Sequence, residues 1–580
     1  MAQPATYSQL AGSFPVFLLE VTWEGYTYRF STFPVELMKT DGSSVGFDGG
    51  LADPNLEERL ESVATDMESD WIQIEVVFPV DLVERMVGGG VTLDDAAAEL
   101  SMALERDGEI LTNYEARIRL FSGTISQPII GDPDKPIGSA AFTVERNPLS
   151  DPVPMIRASH RITRALFPDI GTAENAIGKA WPIVIGQPGN NVLVPSNLAA
   201  GIEQKDGYAT PAYIIFRNPT GLSGTWPVRL MIAGHKVAAS TVKVKDYVGN
   251  TATLNVQQAF VQTYSGTPED AEVYSYVEFN FHADGLVHPF LVGSAYDYAK
   301  TERPEYWVSW TGGGALENPY GTGTLTKAGD VLRWARNQTR VDIEHQSWNN
   351  YAFLLNDFAS FAGYINDPEV DAYTWLMDNV LPWLPIEVVN GPDGLRPVFP
   401  FVFAGGQPNP VRAEITVDVG FYIVGPITTE SEPDEILNRV ETRYGLVAPD
   451  NDPLAVYTIS GEGTAETLDH FSSSDEICRL SRSRYGDRFQ AVELQYVYHL
   501  PTAAAVARWL TRRNAFTRRS LAFVADTSWG WLQVGDAVAI TSESYYFSGH
   551  KFQIIAKSWA DGSWNFTMEI ENNPILNRRP

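Results

Sequence analysis

The chain has 580 residues, 44% of them hydrophobic, with one cysteine, Cys478. That length exceeds one ordinary core and points to several domains of roughly 100–200 residues each, while a single thiol excludes an intrachain disulfide and, by itself, a thiolate-held cluster. A net charge of −30, from 72 acidic and 42 basic residues, excludes a general duplex-DNA binder, which needs a basic face against phosphate. Cys478 reads as a small buried hydrophobe. No basic-then-apolar leader follows Met1, and no run of about 18 apolar residues occurs, so the expectation is synthesis and assembly in a cytoplasm.

Taken in chain order, residues 1–150 carry a β pattern. Residues 17–23 and 26–30 alternate around Glu24-Gly25, a hairpin signal, and 71–78 form another strand candidate. Thr92 is placed as the N-cap of a helix running to Leu104, with Asp94 and Asp95 in its first turn. Residues 115–125 lead through a Pro- and Gly-rich turn to a strand at 141–145. A Pro-marked boundary at 147–152 opens a connector, 151–205. Residues 206–325 hold strand candidates at 212–216, 228–232, 253–256 and 273–279 and predict a compact antiparallel module. From Asp330 the period becomes helical: Val331, Leu332, Trp334 and Ala335 share one face, Phe353, Leu354, Phe358, Phe361 and Ala362 a second, and Tyr373, Leu376, Met377 and Val380 a third. This predicts an α/β segment over 326–408, with a strand at 341–343. The last segment, 409–580, opens with a strand pattern at 411–419. It closes with Tyr485-Gly486-Asp487-Arg488, an Ala-rich helix over 502–513, Gly535-Asp536 before a strand, and strands at 551–555 and 564–571.

No catalytic motif has comparable weight. The eight histidines show no His-Glu-x-x-His spacing, and the six-residue interval of His282 and His288 is no ligand pattern. Ala173 to Lys179 imitates a phosphate loop, but Ala173 replaces its first glycine and Ala180 its Mg²⁺-holding hydroxyl, and Trp181-Pro182 cannot open a helix. Gly42, Ser44 and Gly46 match a nucleophile elbow in letters, yet Asp48-Gly49-Gly50 and Pro54 follow, so a surface turn is expected. Asp367, Glu369 and Asp371 cluster as 72 carboxylates must somewhere. Two rival functions remain: a glycan-cleaving or glycan-binding β protein using such carboxylates with some of the 15 tryptophans, and a cell-binding adhesin.

The C-terminal order of Tyr-Gly-x-Arg at 485–488, read as a strand, then the Ala-rich helix, the Gly535-Asp536 strand and the closing hairpin resembles bacteriophage tail baseplate hub proteins. Three more stretches resemble the same family. They are Phe121-x-Gly123-x-Ile125 with its long loop and returning strand, Gly178-Lys179-x-x-Pro182-x-x-x-Gly186, and Ala328-Gly329-Asp330-Val331-Leu332 ahead of the helices. The resemblance implies a mainly β multidomain chain with an α/β insert. Two tube-type β-barrel domains, 1–150 and 409–580, would form a pseudo-sixfold ring in a homotrimer, with 206–325 as an accessory module. It implies a structural, non-enzymatic virion protein without cofactor or metal, placed at the tail tip. The implied neighbours are a distal tail protein ring above, the tape-measure protein inside and a spike or fibre below, with DNA passing through without specific binding.

Charge is segregated along the chain. Residues 41–110 contain 18 carboxylates and three basic residues, whereas 479–519 contain nine arginines. In a tail, the first would make an acidic wall that repels DNA within a screening length of about 8 Å, with Asp66, Glu68, Asp70 and Glu75 as lumen candidates. The second predicts an interface, with some of Arg484, Arg488, Arg512 and Arg518 paired to carboxylates of the same or a neighbouring chain. Arg508 and Arg512 should share one side of the helix, and Val506, Trp509 and Leu510 the core side.

Overall fold

The computed structural model describes residues 13–23, 25–54, 56–59, 70–79, 82–84, 93, 95–130, 139–146, 154–170, 176–196, 201–217, 227–246, 249–261, 272–280, 286, 306–338, 345–391, 394–399, 411–416, 423–429, 435–448, 450–462, 470–525, 527–543, 546–560 and 562–570. Within them the protein is mainly β and multidomain, with few helices and one closed six-stranded barrel.

The N-terminal sheet is built on the strand Phe14–Trp23, whose hairpin partner Tyr26–Ser31 follows a turn with Gly25 at φ +82°. Ala97–Arg106 lies on its other side, followed by Ile118–Ile130, Ser139–Arg146 and Asp70–Val77. The expected helix from Thr92 is therefore a strand at 97–106, and Asp95 sits in a turn at φ +66°. Ala, Glu, Leu and Met in that stretch favour a helix locally, but backbone pairing with strands on both sides outweighs a few tenths of a kcal/mol per residue. Past the strand Ser44–Gly49, Leu51 bridges Val76, Ala52 N–H donates to Glu75 O, and Leu51 N–H donates to Ser31 O. One short segment thus ties the two ends of the sheet together.

A C-terminal sheet has the order Val411–Thr416, Ala537–Ser542, Phe547–Ala560, Ser563–Ile570, Arg519–Ala525, Ile423–Thr429. Its pairing senses make both edge strands run in the same direction, with only residues 417–422 between them. At about 3.6 Å per residue that interval cannot both return a strand length and cross six flat strands spaced ~4.8 Å apart. The sheet is curled, with its edges drawn together. Leu56–Arg59 adds to this sheet opposite 556–559, and one core joins Phe17, Leu19, Phe142 and Ile74 with Phe523, Phe552, Trp564 and Met568.

The closed barrel lies between these sheets in sequence, formed by Thr210–Arg217, Pro227–Ala233, Glu272–Asn280, Thr251–Val261, Thr241–Asp246 and Tyr306–Ser309. Alternation supplies its interior: Val228, Leu230, Val242, Val244, Val277 and Phe279 are fully buried.

A third core gathers the helices α1 (Ala328–Gln338), α2 (His345–Phe358), α3 (Ala372–Asn379), α4 (Glu476–Tyr485) and α5 (Leu500–Asn514) around a sheet of 439–447, 452–460, 471–474 and 489–494. Val331, Leu332 and Ala335 are buried as expected, and so are Tyr373, Leu376 and Val380. The face assigned to α2 holds only in part: Phe353 is 74% exposed, while Phe361 and Ala362 lie beyond the helix end. Both are nonetheless buried in the core that the helices share. The expected strand at 341–343 lies outside the described residues. Tyr485-Gly486-Asp487-Arg488, expected as a strand, is instead a helix end. Asp475 caps α4 by accepting from Ile477 N–H (2.8 Å), and Gly486 stops it at φ +76°, so the strand starts at Phe489.

Candidate functional site

The acidic stretch is described only in part. Asp66 and Glu68 lie outside the described residues, and Asp70 opens the strand Asp70–Val77. Glu75 is exposed on that strand, opposite Ala141. A better-defined acidic region sits at the hairpin Val35–Met38/Ser44–Gly49, which packs Leu37, Val45 and Phe47 on Val16, Leu18 and Ala103, with Ile110 and Tyr114 at the margin. Around this small core Glu36, Asp41, Asp107 and Glu109 are exposed, as is Met38 at 52%. Beside it is a semi-buried network that sequence reading missed. Glu20 accepts from Arg29 (2.7 Å), Arg117 (2.7 Å) and the Tyr114 hydroxyl (3.0 Å), and Arg117 also reaches Glu99 (2.9 Å). Gly42 and Ser44 belong to the hairpin turn, with Ser44 hydrogen-bonded to Glu36, so this is a surface turn and not an elbow.

The arginines gather on the α4–α5 unit. Along α5 Val506 and Trp509 are buried, Leu510 packs at the margin of the core, Arg508 is exposed and Arg512 half-buried. Arg512 approaches Asp475 (3.6 Å), Arg518 approaches Glu435 (3.8 Å), Arg439 pairs with Asp487 (3.0 Å), and Arg482 pairs with Glu462. Arg484 lies over the Tyr485 ring, and the Arg488 backbone N–H donates to Asn438 Oδ1 (2.9 Å). Pairs this exposed contribute ~0–1 kcal/mol. Arg439 also stacks on Phe489, which is 48% exposed on the edge strand.

Arg513 behaves differently. It is buried and donates to Glu569 (2.7 Å) and Glu387 (2.6 Å), joining α5 to the hairpin 387–398 and to the C-terminal sheet. Burial works against its charge, but the two carboxylates more than offset that and raise its pKa. The signal for it was present in the sequence, because Arg513 follows Val506, Trp509 and Leu510 on the same helical face.

Groups with chemical potential elsewhere are committed to structure. Asp371 caps α3 through Thr374 N–H (2.9 Å), and Asp367 accepts from Glu369 N–H (2.9 Å), which accounts for that acidic cluster. Gly178 lies in a turn with no helix after Lys179 to cradle a phosphate. Tyr444, Tyr496 and Tyr498 donate to the carbonyls of Leu193, Tyr364 and Leu446. Burial raises all three phenols, Tyr496 to about 12. Cys478 is fully buried, which with Asp475 nearby pushes its thiol up to about 11. Among the described residues no group of three or more His, Cys, Asp or Glu side chains could hold a metal ion. His282 and His288 lie outside them.

His235 carries a pH dependence. Val184 N–H donates to its Nε2 (3.0 Å) and its Nδ1 meets Lys236 O (2.8 Å), an arrangement that needs the neutral ring. Burial lowers its pKa. A lowered folded value gives stability that is complete above the unfolded value near 6.5 and is lost as pH falls through the folded value. Thermal unfolding at pH 7.5 and 5.5 should show a larger loss on acidification for the parent than for His235→Gln. Equal losses would place the dependence elsewhere, with His499, lowered by burial and by Lys327, as the next group.

No protein-family model matches the chain, and no curated protein matches it. Among solved structures it is similar to a chain of the virion of the native gene transfer agent (GTA) particle. The identity is 12% and the TM-score 0.34, over 68% of this chain and 89% of that one. It is similar to the 43 kDa tail protein of prophage MuSo2 from Shewanella oneidensis at 6% identity and TM-score 0.33, over 96% and 95%. A chain of the p2 virion baseplate in its activated conformation is similar at 10% identity and TM-score 0.14, over 69% and 99%. The chain is similar in structure to phage tail and baseplate proteins over most of its length.

Proposed function

We propose that this protein is a structural component of a phage-like tail tip, a baseplate hub. Its residues 1–150 and 409–580 act as tube-type domains, with 151–205 as connector, 206–325 as accessory module and 326–408 as insert. The observation that carries the reading is the pair of curled sheets sharing one core: the bridge at Leu51 and Val76 ties off the first, and 411–429 supplies both edges of the second. Two such units per chain, in three copies, give six units around an axis, the number needed to continue a sixfold tube. The arginines Arg484, Arg488, Arg512 and Arg518 then lie toward an interface, and the acidic region containing Asp66, Glu68, Asp70 and Glu75 lines the path that DNA crosses unbound. The distal tail ring, the tape-measure protein and a spike or fibre are its neighbours, and the role is assembly, not catalysis.

Mass measurement in solution, alone and with the tail partner, tests this directly. Three copies per particle are expected. A chain that stays monomeric under every condition and is absent from assembled tails overturns it. Release of reducing ends from bacterial cell-wall glycan would favour the hydrolase reading instead.

A further inference from the structure

The charge segregation has a partner-level meaning that rests on the ring reading above. Two copies of a chain carrying −30 repel each other in most orientations. An arrangement that turns this into attraction sets the arginine face of one copy against an acidic face of the next. Within the arginine face, Arg484, Arg508 and Arg519 are exposed, and no carboxylate pairs with them among the described residues. Apart from the buried Arg513, their neighbours Arg479, Arg482, Arg512 and Arg518 pair with Glu476, Glu462, Asp475 and Glu435 of the same segment. The exposed ring of Phe489 stands on the edge strand of the same unit. The hairpin region around Glu36, Asp41, Asp107 and Glu109 has the complementary character: carboxylates around a small apolar core, with Met38 standing out at 52% exposure. Arginine and aromatic anchors facing carboxylates and a methionine are the composition of an interface centre and its charged rim.

We propose that the α4–α5 arginine face docks head-to-tail on the acidic hairpin region of a second copy. Because the two surfaces differ, the contact is heterologous and propagates until a ring closes.

Charge reversal tests both sides separately. A triple variant R484E/R508E/R519E should weaken self-association by about tenfold or more, and so should D41K/D107K/E109K. Mixing the two variants restores both contacts, intact with intact and reversed with reversed, so native mass spectrometry should show mixed assemblies in which the two chains alternate, one to one and in even copy number. A chain carrying both sets should again form the ring. All six positions are exposed, and unchanged thermal unfolding of each variant shows that the fold is retained. If the arginine triple misfolds, the acidic triple alone decides the matter. The proposal is overturned if wild-type rings persist in both variants with unchanged salt dependence, or if the mixture forms no mixed assembly. In either case the ring reading stands, since it fails only where the parent chain never assembles. Loss of DNA or spike binding with the ring intact would assign the arginine face to that partner and overturn the proposal as well.

Discussion

Replacing Arg513 with methionine is expected to destabilise the protein by about 3–5 kcal/mol. The guanidinium sits where α5, the hairpin 387–398 and the C-terminal sheet meet, and it is the cation between Glu387 and Glu569. Removing it leaves two carboxylates facing each other in a site where side-chain exposure is 8% for Arg513 and 8–11% for its partners. The Oε2 of Glu387 already lacks a hydrogen bond, so no second donor stands ready among the described residues. The sharper comparison is with R513M/E387L/E569L, which removes every charge together. Well-packed apolar replacements of a buried ion pair are often neutral or stabilising, so the triple variant should recover most of the loss. Urea unfolding followed by tryptophan fluorescence distinguishes the two. A single variant within about 1 kcal/mol of the parent would show that water reaches the site.

Gly123→Val should cost roughly 3 kcal/mol or more, placing it beyond ordinary overpacking. Its strand, Ile118–Ile130, runs between Ala97–Arg106 and Ser139–Arg146. A Cβ added at Gly123 would stand 2.4 Å from Glu145 O and 2.8 Å from its carbonyl carbon. Both are backbone atoms held in the sheet register, so the strand itself must move. Apolar burial in the same sheet then suffers, because Phe121 and Ile125 flank the site in the core. Near-ultraviolet circular dichroism and the thermal midpoint together read this effect. A variant with unchanged midpoint would mean that the ladder can slide without loss.

The two positions differ in how much the sequence disclosed. Gly123 stood out as part of Phe-x-Gly-x-Ile, and the close approach of Glu145 is the physical reason a side chain is excluded there. Several strands were legible from short apolar runs, as in Thr210–Arg217 and Pro227–Ala233, whereas the alternating Thr241–Asp246 was not singled out. α5 was legible because its apolar spacing is helical and its arginines fall in the last turn. The stretch from Thr92 was misread because helix propensity is local while the pairing of Ala98 with Val21 and Gly123 is not. The Tyr485 motif was misread because Asp475, the residue that starts that helix, lies ten positions upstream of it. The site side chains were hardest. The meeting of Arg513 with Glu387 and Glu569, and of Arg117 with Glu20 and Glu99, follows from packing between distant segments, and charge counting along the chain is blind to it.

The short strand Leu56–Arg59 has a consequence for synthesis. It pairs with 556–559, about 500 positions later, a contact that must wait for a very long loop to close. Phe17 of the N-terminal sheet and Leu56 of this strand therefore leave the ribosome waiting for Trp559. Nascent chains that stop short of the strands 547–560 and 563–570 will carry these side chains uncovered, the kind of surface that aggregates or recruits chaperones. Only chains that already contain the strands 547–560 and 563–570 can hide them, so closure of the N-terminal core waits on segments made about 500 positions later.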